Sequence, residues 1–376
     1  MQSQAPSFPA NSTTEASPAP QKIQRFKHIR FVRLLATVLI AATAALCIKS
    51  VSAAGQYSIG AYYYPGWKTD TSVVPPSNPW ERIYAYPDRE PLLGWYNEGD
   101  LNVMNQQLRW MYDYGLDFVV FDWYWTSNRP RNQHALDAYM QAPNKSLVKF
   151  AIMWANHENY PKSEENFRSI VKYWVDTFLK DPQYQRINNQ PVVYIYSPTF
   201  LEEKALAFGS TTLTLLNQAN EIARQAGLPN IYFVGGTAAG TFARSTAQTF
   251  GYQALSAYNY GLGHSFQERD AGYRRQWKDI LENGMLPYMP NMTAGWDKRA
   301  WGGTTSDPAR DLAFSTPDSF EVHLKAAKDV MDLYPEKTMR TGVICCWNEF
   351  GEGSYIEPTK KYGMQYLERV RKVFSP

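Results

Sequence analysis

Cysteine, histidine and membrane-length apolar runs are all scarce in this chain of 376 residues. Its three cysteines and five histidines fall in no spacing that would hold a metal ion. A disulfide scaffold and a metal centre are therefore not expected, and no motif asks for a cofactor. The phosphate loops of nucleotide-binding proteins are missing too, since Gly235-Gly236 is too little to cradle a phosphate. No serine sits in a G-x-S-x-G elbow, which removes the usual nucleophile of an acyl-transfer enzyme. After Ala54 there is no internal repeat, no linker and no second domain. What remains for chemistry is carboxylates.

The longest apolar run, Leu34 to Cys47, is short of the roughly 20 residues that span a bilayer. It follows a stretch rich in Ser, Pro, Ala and Thr, too polar to bury a core of its own. A basic block at Lys22, Arg25, Lys27, Arg30 and Arg33 comes next, and Val51-Ser52-Ala53 closes the region with small residues. Basic, apolar, small is the order of a secretory signal. Residues 1–53 are thus expected to be a leader and signal peptide outside the fold. The protein is then secreted or periplasmic. The alternative is an uncleaved N-terminal anchor that holds the protein on a membrane, facing outside. The leader carries six basic residues against one acidic, so the overall net charge of +3 belongs to it. The rest is slightly acidic, and nucleic acid is not expected as a partner.

Residues 54–376 alternate strand-like and helix-like runs. The expected strands are Ser58 to Tyr64, Leu116 to Trp123, Val148 to Trp154, Pro191 to Tyr196, Ile231 to Val234, Ala254 to Tyr258, Leu286 to Pro290 and Gly342 to Cys346. Helical patterns separate most of them, with Leu101, Met104, Leu108 and Met111 on one stripe of the first, Asn102 to Tyr114. Eight βα units predict an α/β fold, a single (β/α)8 TIM barrel, with the active site at the C-terminal ends of its strands. Cys345 and Cys346 are neighbours in a strand, where side chains alternate faces, which argues against a disulfide between them.

Polar and aromatic residues gather at the strand C-termini. Tyr63, Tyr64 and Trp67 follow the first strand, and Asp122, Trp123 and Trp125 end the second. Trp154, Asn156 and Glu158 follow the third; Tyr258, Asn259 and Tyr260 the sixth; Trp296 the seventh; Trp347 and Asn348 the eighth. These are the expected substrate-binding residues. His157 and His264 are weaker candidates. Aromatics make up 15% of the chain, and flat rings with polar handles suit the apolar faces and hydroxyls of sugars, so carbohydrate is the expected partner. Trp123 and Trp125 share a face opposite Tyr124, so only part of that cluster can line a pocket. The eighth strand runs into Trp347-Asn348-Glu349-Phe350-Gly351-Glu352-Gly353. Two carboxylates near one bond are standard equipment for breaking a glycosidic linkage, which makes Glu349 and Glu352 the expected catalytic pair. Glu357 beside Pro358 and two lysines reads as a solvated or salt-bridged turn.

Tyr62-Tyr63-Tyr64-Pro65-Gly66-Trp67, Trp154-Ala155-Asn156 and Trp347 to Gly353 together resemble the glycoside hydrolase family 99-like group. That group holds the endo-α-mannosidases and the WbsX-type proteins of polysaccharide gene clusters. Gly295-Trp296-Asp297 and Tyr355-Ile356-Glu357-Pro358 are similar to the WbsX-type pattern, and the likeness runs from about Ile59 to Tyr366. It implies a retaining glycosidase on α-linked, mannose-type glycans. Glu349 would act as a base on the sugar 2-hydroxyl, giving an anhydro-sugar intermediate. Glu352 would protonate the leaving oxygen and then activate water. The resemblance also implies alternatives: a sugar-transferring enzyme of polysaccharide assembly, or a carbohydrate-binding barrel without activity. Two departures stand out. His157 separates Asn156 from Glu158, where the WbsX-type pattern has Glu directly after Asn. Phe350-Gly351 replaces the Trp-His of the mannosidase motif.

Overall fold

The computed structural model describes residues 56–375. The expected leader at 1–53 lies outside them. Eight parallel strands form a barrel: β1 (Ser58–Tyr63), β2 (Phe118–Thr126), β3 (Lys149–Trp154), β4 (Gln190–Ile195), β5 (Tyr232–Gly236), β6 (Ala254–Ser256), β7 (Asn291–Thr293) and β8 (Thr341–Cys345). Neighbours in sequence pair from β1 through β6 and again from β7 to β8, and β8 returns to β1, with Ser58 opposite Thr341 and Ala61 opposite Ile344. The β6–β7 seam closes through Leu255, which donates to Pro287 O and accepts from Met289 N, each at 2.8 Å. The expected seventh strand, Leu286 to Pro290, is therefore displaced. It supplies that bridge, while the strand proper is Asn291–Thr293, because Pro287 and Pro290 remove ladder donors.

The principal helices pack outside the strands: α1 (Leu101–Asp113), α2 (His134–Gln141), α3 (Glu164–Trp174), α4 (Pro198–Ala207), α5 (Thr212–Gln225), α6 (Phe266–Asn283), α7 (Pro317–Leu333) and α8 (Gln365–Phe374). Their starts have local causes. Asp100, Ser163, Ser197, Thr211, Ser265 and Thr316 each accept a backbone N–H of the first turn. Met104, Leu108 and Met111 are buried, as the stripe on α1 requires, whereas Leu101 in the first turn is exposed. Helices α2 and α4 were not expected from the sequence. Among the described residues no helix is long and apolar enough to cross a membrane.

Alternation along the strands sorts side chains between the barrel interior and the helical shell. Tyr62 and Tyr194 meet edge to face, with ring centres 6.1 Å apart, and Tyr62 packs against Tyr258 at 5.0 Å. Tyr63 belongs to the other set, against Phe121, with its hydroxyl on Gln107 of α1. At the end of β8 the alternation fails. Cys345 and Cys346, both fully buried, are joined in a disulfide, contrary to expectation. The peptide between them is cis, so the two side chains do not take opposite faces as in a regular strand.

Candidate active site

A cavity of about 350 Å³ opens at the C-terminal ends of the strands. Its walls follow the alternation. Tyr64 comes from β1, Asp122 and Tyr124 from β2, Met153, Ala155 and His157 from β3, Tyr196 from β4 and Tyr258 from β6. Glu349 and Glu352 enter from the eighth connection, and Arg131, Asn132 and Trp301 complete the rim.

The two glutamates sit on a short antiparallel hairpin, with Asn348 opposite Tyr355 and Glu349 opposite Ser354. Phe350 anchors it from below, fully buried among Trp67, Trp80 and Tyr355. Arg89 holds it from behind, donating to Phe350 O at 2.8 Å and Asp297 O at 3.0 Å while pairing with the Asp297 carboxylate. Two glycines let the hairpin fit. Gly353 has a φ of +63°, a conformation that disfavours side chains. A Cβ on Gly351 would lie 2.0 Å from the Trp301 ring. Trp301 thus fills the space that a side chain at position 351 would need.

Of the expected site residues, Tyr64, Asp122, Tyr258, Glu349 and Glu352 meet at the cavity. His157, a weaker candidate, also lines it, and the others brace it or lie away from it. Trp123, Trp125 and Trp154 face the shell, packed with Tyr173 and Trp174 of α3. Trp67 stacks on Trp80, and its indole donates to Asn348 O at 2.8 Å. Asn348 grips the backbone of Tyr64, accepting from its N–H at 2.9 Å and donating to its carbonyl at 3.0 Å. Asn156 grips Ser197 in the same way, both bonds 2.8 Å. Asn259 ties Ser354 of the hairpin to Thr293 of β7. Tyr260 turns to Thr237 and Tyr288, and Trp347 is buried in the core. Trp296 donates to Thr304, and Glu158 pairs with Arg131 at 2.9 Å on the rim. His264 pairs with Asp307 at the surface.

Sequence reasoning passed over Tyr124, Tyr196, Trp301 and Arg131. Alternation was a usable signal for the first two: with Asp122 inward, Tyr124 must also point inward and Trp123 and Trp125 outward. No local pattern marks Trp301 or Arg131. Glu357 corrects an expectation. It is buried, accepting from Tyr96 at 2.6 Å and Gln107 at 3.0 Å, because the turn tucks under the barrel rim.

Electrostatically the cavity is a nest of acids. Burial, then the neighbouring Glu352 and Asp122 charges, raise the Glu349 pKa well above the usual carboxylate range. Asp122 is likewise raised well above it, mainly by burial. Glu352 keeps contact with the cavity, but the surrounding protein pushes its pKa up to about 7 against the opposing charges of Lys298 and Arg269. Such an acid holds its proton near neutrality, as a donor to a leaving group must. No group of three or more His, Cys, Asp or Glu among the described residues is placed to hold a metal ion. A second cavity of about 260 Å³ lies behind the hairpin, near Asp297 and Gly353. Its charges are largely matched: Arg89 and Arg299 with Asp297, and Lys361 with Asp88.

Comparison with known proteins agrees with this architecture. The structure is similar to a glycoside hydrolase-like protein, with a TM-score of 0.64 and 17% identity over 85% of this chain and 94% of the other. It is also similar to the family 99 endo-α-mannosidase of Bacteroides thetaiotaomicron, with a TM-score of 0.61 and 18% identity over 84% and 95%. At such identity these likenesses establish the fold. Among curated proteins, the chain is 20% identical over 314 residues to the uncharacterized protein WxcX from two strains of Xanthomonas campestris pv. campestris. The match covers 75% of this chain and 43% of that protein, so the chain spans less than half the length of these relatives. The family model described as Glycosyltransferase WbsX matches residues 83–370. With most of its length matched and a barrel like those of family 99, the chain belongs to the WbsX family.

Proposed function

We propose that this protein is a retaining glycoside hydrolase that cleaves α-linked glycans, mannose-containing polysaccharide among them, at the cavity holding Glu349 and Glu352. The observation that carries this reading is the hairpin itself. It brings two carboxylates with raised pKa values, the buried Glu349 and the half-buried Glu352 with a pKa near 7, to one wall of an aromatic-lined cavity. Glu352 protonates the leaving oxygen and later draws a proton from water. Glu349 takes the proton of the sugar 2-hydroxyl, whose oxygen displaces the leaving group and forms a 1,2-anhydro sugar. Water then opens that ring, and two displacements at one carbon restore its configuration. Tyr64, Tyr124, Tyr196 and Trp301 offer ring faces to the sugar.

The family's printed name favours a second reading, transfer of a sugar from an activated donor. Against it stands the charge of the cavity. Three carboxylates face one arginine, and Arg131 is already paired with Glu158. A sugar-nucleotide pyrophosphate entering there finds no unpaired arginine or lysine in the lining to match its charge. In our reading the protein acts outside the cytosol, delivered by residues 1–53, which are removed or kept as an anchor. A panel of defined α-linked glycans, incubated with the protein and followed by product mass, tests the reading. We expect water-derived cleavage products without any nucleotide donor. Sugar addition that needs a donor, with no cleavage, would overturn it.

A further inference from the structure

Tyr258 stands between two carboxylates. Its hydroxyl oxygen is 2.9 Å from Oδ2 of Asp122 and 2.9 Å from Oε1 of Glu349. A phenol has one hydrogen. It can donate to one of these oxygens, and the other contact is favourable only if that carboxyl donates in return. Two ionised carboxylates would leave one bare O···O contact at hydrogen-bond distance, in a site where Asp122 is 5% exposed and Glu349 4%. The remaining oxygens, Oδ1 of Asp122 and Oε2 of Glu349, are buried without a protein partner.

We propose that Asp122, Tyr258 and Glu349 share one proton, and that Asp122 takes it through Tyr258 so that Glu349 is ionised when substrate arrives. The proposal rests on the reading of Glu349 as base and extends it to a residue with no assigned role. The exchange is balanced. The Glu349 proton passes to the Tyr258 oxygen as the Tyr258 proton passes to Oδ2 of Asp122. Two O–H bonds break and two form, with no change in charge. Glu349 then accepts the 2-hydroxyl proton as the sugar O2 closes on the anomeric carbon. The bond to the leaving oxygen breaks as Glu352 supplies that oxygen with a proton. Both Asp122 and Glu349 are neutral at that point, and Glu349 returns its proton to O2 when water opens the ring.

This resolves a conflict within the site. A base must be ionised, yet burial and its neighbours raise the Glu349 pKa and so favour its neutral form. A nearby acid that accepts the proton removes the conflict without exposing the site to water. Asp122 is a positioning residue in this scheme, acting on the sugar through Tyr258 and Glu349. Tyr62, Tyr64, Tyr124, Tyr196, Glu352 and Lys298 are the other titratable groups close enough to act on the array, and His157 and Arg131 line the same cavity. Lys298 is the cation that acts on Glu349, and it favours the ionised form.

The test is a pH titration of the intact protein carrying glutamate labelled with carbon-13 at the side-chain carboxyl, with Glu349→Gln to identify the resonance. Sharing predicts a two-step titration of Glu349 in the parent. In Asp122→Asn the step due to Asp122 is lost, the coupling to Glu352 remains, and the Glu349 midpoint falls by about one pH unit or more, since a like charge is gone. In Tyr258→Phe the Glu349 midpoint moves up, because the anion loses its donor. A Glu349 titration unchanged by both substitutions overturns the proposal, with or without turnover. The same variants are then assayed on any glycan that the parent cleaves, where kcat of Asp122→Asn should fall at least about tenfold and its pH profile should shift. Full activity with the parental profile overturns the role of Asp122 and leaves the glycosidase reading intact. The expected titration in a protein that cleaves no glycan supports the shared proton and counts against the glycosidase reading.

Discussion

In the proposed reaction Glu352 has the most exacting task, because one carboxyl must hold a proton near neutrality and release it within a turnover. Its pKa of about 7 comes from the protein packed around it, with Lys298 and Arg269 limiting the rise. Glu352→Gln keeps the shape and removes the proton. Turnover of unactivated glycans should fall by about 10²–10⁴-fold while affinity changes little. Substrates with good leaving groups should recover part of the loss, since they need less protonation. Parental rates on ordinary glycans would remove Glu352 from the chemistry. The acid pair was legible in the sequence because an apolar strand running into paired carboxylates is a local signal. The faces of the aromatic residues were legible only in part. Counting from Asp122 places Tyr124 in the cavity and Trp123 and Trp125 in the shell, yet bulk and sugar-binding chemistry drew attention to the tryptophans. Trp67, Asn156 and Asn348 show a further limit. Polar and aromatic groups at a strand end brace backbone as readily as they bind ligand, and only three-dimensional contacts separate the two.

The hairpin that carries Glu349 and Glu352 is held by packing rather than by its own short ladder. Phe350 beneath it, Arg89 behind it and Trp301 across Gly351 fix its position. Gly351→Ala places a methyl into the Trp301 ring, so either the indole or the hairpin must move. Overpacking of this kind costs about 1–3 kcal/mol. We expect a lower melting temperature and a several-fold rise in KM, because Trp301 lines the cavity; an unchanged KM would show that the Trp301 face is not part of the sugar site. The hairpin was readable in outline from Gly351 and Gly353. Its anchors were not, since Trp67, Arg89 and Trp301 come from long connections without periodicity. The elements themselves divide along the same line. Long amphipathic α1 and α3 announce themselves by spacing and caps, whereas short β7 is displaced by the prolines before it. The Cys345–Cys346 disulfide was missed because the alternation rule assumes regular strand geometry, and the chain leaves that geometry at the end of β8.

Across the whole barrel, buried acids link stability to pH. Glu357 has a pKa raised to about 8 and Glu352 to about 7, both through burial. A carboxyl whose folded pKa exceeds its unfolded value binds its proton more tightly when folded. Its contribution is fully present below about 4.5 and is lost as pH rises through 7 to 8. The melting temperature should therefore fall between pH 5 and pH 8. Glu357→Gln, whose amide still accepts from Tyr96, should reduce that slope and raise the midpoint at pH 8 more than at pH 5. An equal effect at both pH values would mean that Glu357 is ionised in the fold. The eightfold alternation that defines the barrel was legible because it rests on many segments at once, so a misplaced β7 or an unseen α2 and α4 did not change the count. The central claim is that this barrel end cleaves α-linked glycans with retention through Glu349 and Glu352. The most direct measurement is proton NMR of the first product released from an α-linked glycan, before mutarotation. The account predicts the α-anomer from the parent and a rate reduced by orders of magnitude from Glu352→Gln. Release of the β-anomer first, or equal rates from the two proteins, would contradict it.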